Sequence, residues 1–419
     1  MNKMKIKNPR YRFQDFFNNN WEKVKFKKYI KLYRGSSPRP IQDFLTNENG
    51  INWIKIGDTK NSKNYIISSV EEQITKEGAK QSRFVEKGEL ILANSMSYGN
   101  TYELGLNGCI YDGWFVLREY GPYFNKTFLK YQLNSNLLQY QYKRLSAGGI
   151  VKNISSDIVY ATKLFYTSEK EQEKIAECLK SVDDLILSEE EKLEKLKSHK
   201  NGLLQKLFPQ QDKNIPELRF PKFNQKWDIK KLDNICIFRN GGSYENNIVE
   251  NGKYNLITLN SIDIDGNLKD KHHTIEYGDW YLRKNDIVMI LSDVATGRFL
   301  GLSALIPQNN KFVLNQRVGL LRTNKNKSPD YIRYFINQNQ KYFMTHGQGA
   351  NQKNLSKEDI LSFCIKIPKK IEEQQKIADC ISSIDDLISV QIEKIEALKQ
   401  HKKSLLQGLF PSIEEVDNE

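Results

Sequence analysis

Segment 171–209 recurs at 373–411 without a gap, identical at 24 of 39 positions. A repeat of this length makes the chain two similar halves in tandem, each half a globular region followed by the repeated segment. Both copies space their apolar residues as heptad a and d positions. In the first copy these are Ile175, Leu179, Val182, Ile186, Leu193, Leu196, Leu203 and Leu207; in the second, Ile377, Ile381, Ile384, Ile388, Ile395, Leu398, Leu405 and Leu409. The pattern predicts two long helices, each with a narrow apolar seam that needs a partner. Since that partner is present in the same chain, an intramolecular pair is expected, antiparallel because a rotation exchanges the halves. A homodimeric coiled coil is the alternative.

Ser168 and Glu171 form a capping-box pattern at the first helix start, Pro368 precedes the second, and Pro209 and Pro411 stop both. At about 1.5 Å per residue, roughly 35 helical residues span on the order of 50 Å, enough for a spacer between two globular parts. Polar residues interrupt the seam at matching places, Glu189 with Gln391 and Lys200 with Lys402. Such groups fix register or lie on a solvated edge. The expected fold class is α+β, with globular α/β domains over 1–168 and 210–370, helical spacers over 169–209 and 371–411, pseudo-twofold symmetry, and an acidic tail over 412–419.

The formal net charge of +13 is unevenly distributed. The repeated segments together carry −3 and the tail after Pro411 carries −4, so the globular parts hold about +20. A positive surplus concentrated there suits a phosphate backbone; an evenly solvated basic surface is the alternative. The five cysteines form no CxxC pair and no Cys/His cluster, so neither a zinc site nor a disulfide framework is expected. No run of about 18 apolar residues occurs, and the Lys-rich start leads into no apolar signal core. The expected place is the cytoplasm, with no membrane contact.

The globular halves repeat more weakly. Trp21 to Phe26 corresponds to Trp227 to Leu232, and each run leads into a small polar turn, Arg34-Gly35-Ser36-Ser37-Pro38 matched with Arg239-Asn240-Gly241-Gly242-Ser243. Strand-like runs come next, Trp53 to Ile56 with Leu256 to Leu259, and Glu89 to Ala93 with Asp286 to Ile290. Lys152-Asn153-Ile154-Ser155 matches Lys353-Asn354-Leu355-Ser356 just before the helices. Framework positions repeat while the loops differ. A shared scaffold with different polar loops suits base reading, with Arg for guanine, Asn or Gln for adenine, and Ser or Thr for phosphate. The candidate DNA-binding residues in the first half are Arg34, Ser36, Ser37, Arg39, Lys60, Asn61, Lys63, Asn94, Ser97 and Tyr98. In the second half they are Arg239, Asn240, Ser243, Tyr244, Ser292, Thr296, Arg298, Gln316, Arg317, Gln348 and Asn351. An ordinary solvated loop residue is the competing account of each.

Catalytic signatures are missing. The sequence has no GxxxxGK[ST], GxGxxG, HExxH or GxSxG motif, so neither a catalytic nor a metal site is expected. Asn8-Pro9-Arg10-Tyr11 is like the NPPY of adenine methyltransferases only superficially, and no glycine-rich methyl-donor motif accompanies it. Pro329-Asp330 is expected to be a turn, His272-His273 a polar loop, and His199 and His401 helix-dipole partners near the helix ends.

Taken together, these residues resemble the specificity subunit of a Type I restriction-modification system. The carriers are the EQxKIA openings at Glu171 and Glu373, the LLQxLFP endings at Leu203 and Leu405, and the leader Pro216-Glu217-Leu218-Arg219-Phe220 with Trp227. Val313-Leu314-Asn315-Gln316-Arg317-Val318 and Gln352-Lys353-Asn354-Leu355-Ser356 complete the set. The first half departs with Tyr11-Arg12-Phe13 in the leader and Gly113-Trp114-Phe115-Val116 in place of the NQRV run. The resemblance implies two target recognition domains, each reading one half of a bipartite double-stranded DNA sequence, with the paired helices setting the spacing. It also implies two modification subunits bringing S-adenosylmethionine and adenine-N6 methylation, and two restriction subunits bringing ATP- and Mg-dependent translocation and cleavage. No cofactor is then expected on this chain itself. A coiled-coil scaffold with incidental charge and an enzyme with an unfamiliar site are the competing classes.

Overall fold

Both expected helices form, Glu169–Leu207 and Ile371–Gly408. The structure is a computed structural model that describes residues 5–95, 99–146, 153–210, 212–294 and 296–414. Its compact units cut across the order of the chain: one comprises 1–191 with 393–419, the other 192–392. Each unit thus owns the first half of one long helix and the second half of the other.

In the first unit the helix segments run antiparallel, since residues later in one meet residues earlier in the other. Lys394 pairs with Glu189 at 2.6 Å, and Lys402 with Asp183 at 2.5 Å. In the second unit Lys200 pairs with Asp385 at 2.6 Å, the repeat counterpart of Lys402 with Asp183. Antiparallel intramolecular pairing is therefore the answer to the seam. Its residues Ile175, Leu179, Ile186, Ile377, Ile381, Ile384 and Ile395 are buried. Burying one such side chain is worth about 1.5–3 kcal/mol.

The seam lysines go to carboxylates that also hold the globular parts. Tyr131 donates to Asp183 at 2.6 Å, and Tyr334 donates to Asp385 at 2.5 Å. Burial and the adjoining carboxylate push both phenols well above their ordinary range. The helix openings act in the same way. Glu171, 1 % exposed, accepts from Arg12 Nε and Nη2 at 3.0 Å and from Trp21 Nε1 at 3.3 Å. Glu373, 2 % exposed, accepts from Arg219 Nε at 2.7 Å and from Trp227 Nε1 at 3.1 Å. The capping box is thus only half made: Ser168 Oγ accepts from the Glu171 amide at 3.4 Å, but the Glu171 carboxylate turns to the leader instead. A charge-assisted fork to arginine is stronger than a bond to a single backbone amide.

Each unit stacks helices on one sheet and a second sheet behind it. In the first, the main sheet has the order Lys31–Arg34, Trp114–Arg118, Leu90–Ala93, Thr101–Leu104, Ile66–Ile67. Alternation decides which face each residue serves. Leu90, Leu92, Phe115 and Leu117 pack with Phe128, Leu138, Ile175 and Leu179 of the helices. Ile91, Ala93, Trp114 and Val116 meet Ile54, Val85 and Ile110 of the second sheet. The second unit repeats this with the order Cys236–Asn240, Val318–Thr323, Ile287–Ile290, Ser303–Leu305. There Ile287, Met289 and Leu321 pack with Ile332, Ile336, Ile377 and Ile381, while Val288, Ile290 and Leu320 face Ile257 and Leu314.

Two minor expectations are corrected. His273 opens the strand His273–Ile275 and pairs with Leu256, so the histidine pair is not simply a polar loop. Pro329 opens the helix Pro329–Gln338 behind its N-cap Ser328, whose Oγ accepts from the Tyr331 amide at 3.3 Å. Proline at the first helical position needs no donor, so the turn reading gives way to a helix start.

Candidate nucleic-acid interface

In the main sheet of the second unit, strand Cys236–Asn240 ends where Val318–Thr323 begins and where Ile287–Ile290 ends, because Asn240 pairs with Gly319 and Ile290 with Val318. Antiparallel neighbours bring their opposite ends together, so the loops after Asn240, after Ile290 and before Val318 share one end of the sheet. These loops carry Ser243 and Tyr244, then Thr296 and Arg298, then Gln316 and Arg317. A short ladder of Ser292–Val294 on Gln352–Asn354 adds Gln348 and Asn351 to the same end.

The first unit gathers its loops in the same way, since Arg34 pairs with Phe115 and Ala93 with Trp114. Here Asp112 is the hub. Its carboxylate accepts from Ser37 Oγ at 2.8 Å, and its carbonyl accepts from Arg34 Nε at 3.1 Å and from Asn94 Nδ2 at 2.9 Å. Close backbone approach closes both turns. A Cβ on Gly35 would stand 2.0 Å from the Tyr111 carbonyl oxygen, and one on Gly241 2.0 Å from that of Asn315.

These contacts correct the pairing of the two polar turns. The Gly35 amide donates to the Trp114 carbonyl and that of Gly241 to the Val318 carbonyl, while Ser36 and Gly242 donate to Ile110 and Leu314. Gly35 is therefore the counterpart of Gly241, Arg34 of Asn240, and Tyr33 of Arg239. Aligning the two arginines by type puts the first half one residue out of step. The later match holds where it can be followed, Lys152 lying outside the described residues: Ile154 and Leu355 donate their amides to the Asn94 and Leu291 carbonyls, and Ser155 and Ser356 cap the next helices.

The named residues divide by exposure. Arg34, Arg39, Lys60, Asn61, Lys63, Arg239, Asn240, Ser243, Thr296, Arg298, Gln316, Arg317, Gln348 and Asn351 are exposed. Ser36 and Ser37 are half-buried, Ser36 donating to the Gln81 carbonyl at 3.1 Å. Asn94, Tyr244 and Ser292 are buried and hold the loops from within. Tyr244 donates to Asp279 Oδ2 at 2.9 Å, and Ser292 Oγ accepts from Gln352 Nε2. Burial, with Asp279 alongside, raises the Tyr244 phenol above its ordinary range. Lys60, Asn61 and Lys63 belong to another segment, the 3-10 turn Ile56–Asn61 and the residues just after it, where Asn64 donates to the Asp183 carbonyl of the long helix at 3.3 Å. Ser97 and Tyr98 lie outside the described residues.

Sequence reading missed Asp112 and Trp280, and it named Asn315 only within the run that carries the family resemblance. Asn315 anchors its turn by accepting from the Tyr244 amide at 3.2 Å. The available signal was a tryptophan standing alone in the charged loop Asp279-Trp280. Among the described residues no group of three or more His, Cys, Asp or Glu side chains is placed to hold a metal. Nor is any helix there long and apolar enough to cross a membrane.

Residues 224–400 match the family model described as Type I restriction modification DNA specificity domain. The chain is 22% identical over 416 residues to the Type I restriction enzyme MjaVIII specificity subunit of Methanocaldococcus jannaschii, covering 95% of this chain and 94% of that protein. Its fold is similar to a crystal structure of a Type I restriction-modification S subunit from M. genitalium, with TM-score 0.60, 16% identity, and coverage of 97% of this chain and 100% of the other. A structure from work on complex assembly and conformational transition of the type I R-M system also matches, with TM-score 0.60 at 16% identity over 93% of this chain and 97% of that one.

Proposed function

We propose that this chain belongs to the specificity-subunit family of type I restriction-modification systems, to which it is similar, and that it addresses its complex to a bipartite sequence in double-stranded DNA, each unit taking one half. The observation that carries this reading is the repeated sheet end. Two equivalent frames, closed by Gly35 and Gly241, present different exposed side chains, Arg34 and Arg39 in one and Arg239, Arg298, Gln316 and Arg317 in the other. Identical frames serve docking; differing tips serve discrimination.

Catalysis belongs to partners in this reading. Specificity subunits are non-catalytic; two modification subunits would bring S-adenosylmethionine and adenine-N6 methylation, and two restriction subunits would bring ATP, Mg and cleavage. The long helices offer apolar residues off the seam, Leu185 at 43 % exposure and its repeat counterpart Leu387 at 55 %. Equivalent exposed patches suit two copies of one modification subunit. The helices would also set the distance between half-sites, and the complex would work in the cytoplasm where its DNA lies.

The test is single-molecule methylation sequencing of cells with and without this gene. One bipartite N6-methyladenine motif should vanish on deletion. A methylome unchanged although the modification subunit is expressed overturns the reading.

A further inference from the structure

Each unit carries an aromatic ring flanked by two arginines. In the first unit Arg83 and Arg118 stand over Tyr33, at 5.5 and 5.8 Å from the ring centroid. In the second, Arg239 and Arg322 stand over Trp280, at 4.1 and 5.4 Å. One arginine of each pair is already committed. Arg118 forks onto Glu89 at 2.6 and 3.0 Å, and Arg322 onto Asp286 at 2.7 and 2.6 Å.

The other arginine differs between the units. Arg83 Nε is bound to the Arg34 carbonyl at 2.5 Å. Arg239 is exposed and, among the described residues, its guanidinium has no hydrogen bond or ion pair; its contact is the face of Trp280. It lines a cavity of 170 Å³ with Asn240, Gly242, Tyr244, Asp279 and Trp280, at the sheet end that gathers the loops. The counterpart position in the first unit is Tyr33, so the two frames diverge here.

We infer that Arg239, whose guanidinium stands 4.1 Å from the centre of the Trp280 ring, reads a guanine in the half-site taken by the second unit. A planar guanidinium offers parallel donors that match guanine O6 and N7 in the major groove. Stacking on an indole limits the conformations the side chain must give up on binding. Among the described residues no carboxylate pairs with the guanidinium, and Asp279, which lines the same cavity, is held by Tyr244. Trp280 is a positioning residue: it touches no base and acts through Arg239. This inference rests on the proposed function and adds the base and its reader.

The experiment uses the full chain co-purified with its modification subunits. Duplexes bearing the methylated motif are compared with duplexes in which each guanine of either half-site is replaced by 7-deazaguanine, which lacks the N7 acceptor. For the wild type, substitution at one guanine in one half-site should weaken binding roughly 5- to 150-fold. In Arg239→Lys, which keeps the charge, that position should lose its discrimination while the salt dependence stays as in the wild type. Trp280→Ala should reduce discrimination at the same position with the salt dependence again unchanged, which mere unfolding does not produce. Unaltered discrimination in Arg239→Lys, or no guanine sensitivity in the wild type, overturns the inference and leaves the bipartite reading standing. Binding with no preference for any bipartite sequence overturns both.

Discussion

Lys402 Nζ lies 2.5 Å from Asp183 Oδ1, joining the last turns of the second long helix to the first half of the other. Tyr131 donates to the other oxygen of that carboxylate, so one aspartate fastens both helices to the globular part of the first unit. The side chain of Asp183 is 3% exposed and that of Lys402 15%. A carboxylate this deep is costly to leave without its cation.

Lys402→Ala should therefore destabilise the protein by about 2–4 kcal/mol, the range below that of a fully buried pair. Lys200→Ala should cost less, because Asp385 in the second unit is 20% exposed and keeps Arg333 at 4.0 Å. Urea midpoints at constant slope are the measurement. Losses under about 0.5 kcal/mol, typical of exposed pairs, would show that the contact does not fix the helices.

Arg12→Ala should free the leader from the helix it clips, because Glu171 would remain buried against Trp21 without its guanidinium. The expected cost is about 3 kcal/mol, with Glu171→Gln milder because the neutral amide removes the buried charge. Limited proteolysis near residue 12 should accelerate in Arg12→Ala. An unchanged digestion pattern would count against the clip.

Acid sensitivity has an identifiable contributor in Glu103. Burial opposes its charge, but Lys126 at 2.7 Å and Lys130 at 3.0 Å overcome this and hold its carboxyl below the ordinary value of 4.5. A lowered native pKa contributes stability that is complete above pH 4.5 and is lost as pH falls through the native value. Glu103→Gln should thus flatten this part of the acid arm of the stability curve. A wild-type-shaped arm in that variant would assign the loss elsewhere.

DNA binding should be strongly salt dependent. If 6–10 phosphates are neutralised, affinity falls about 10³- to 10⁵-fold between roughly 50 and 200 mM salt. The charge-neutral variants Arg298→Gln and Arg317→Gln should each reduce the slope of log affinity against log salt by about one. A slope near zero would favour the scaffold class, in which the basic surplus is incidental.

Removing one heptad from each long helix shortens each by about 10.5 Å, close to three base-pair steps. The methylated motif should then have a shorter spacer or disappear. A motif with both half-sites and an unaltered spacer would end the ruler proposal.

The periodic part of this molecule was legible in the amino-acid sequence. A heptad seam is local and repeats every turn, so Ile175, Leu179, Ile377 and Ile381 declare their buried face without knowledge of the fold. Strands such as Leu90–Ala93 and Ile287–Ile290 were found in the same way, by runs bounded with polar loops. The doubling of the chain and its family resemblance follow from residues compared along one line.

Side-chain partnership was not legible, because it depends on register and depth between segments far apart in the chain. By residue type Arg34 matches Arg239, yet backbone pairing makes Tyr33 the counterpart. Asn94 and Ser292 have the composition of loop tips, and packing puts them inside. Trp280 gains its meaning only when folding lays Arg239 on its face. The sequence by itself determined the two halves, their helices and the strands that carry the loops. Only the tertiary structure decided which arginines are tied to carboxylates, as Arg118 and Arg322 are, and which stands on an aromatic face beside the loops, as Arg239 does, since that depends on which neighbours reach them across strands the chain does not place side by side.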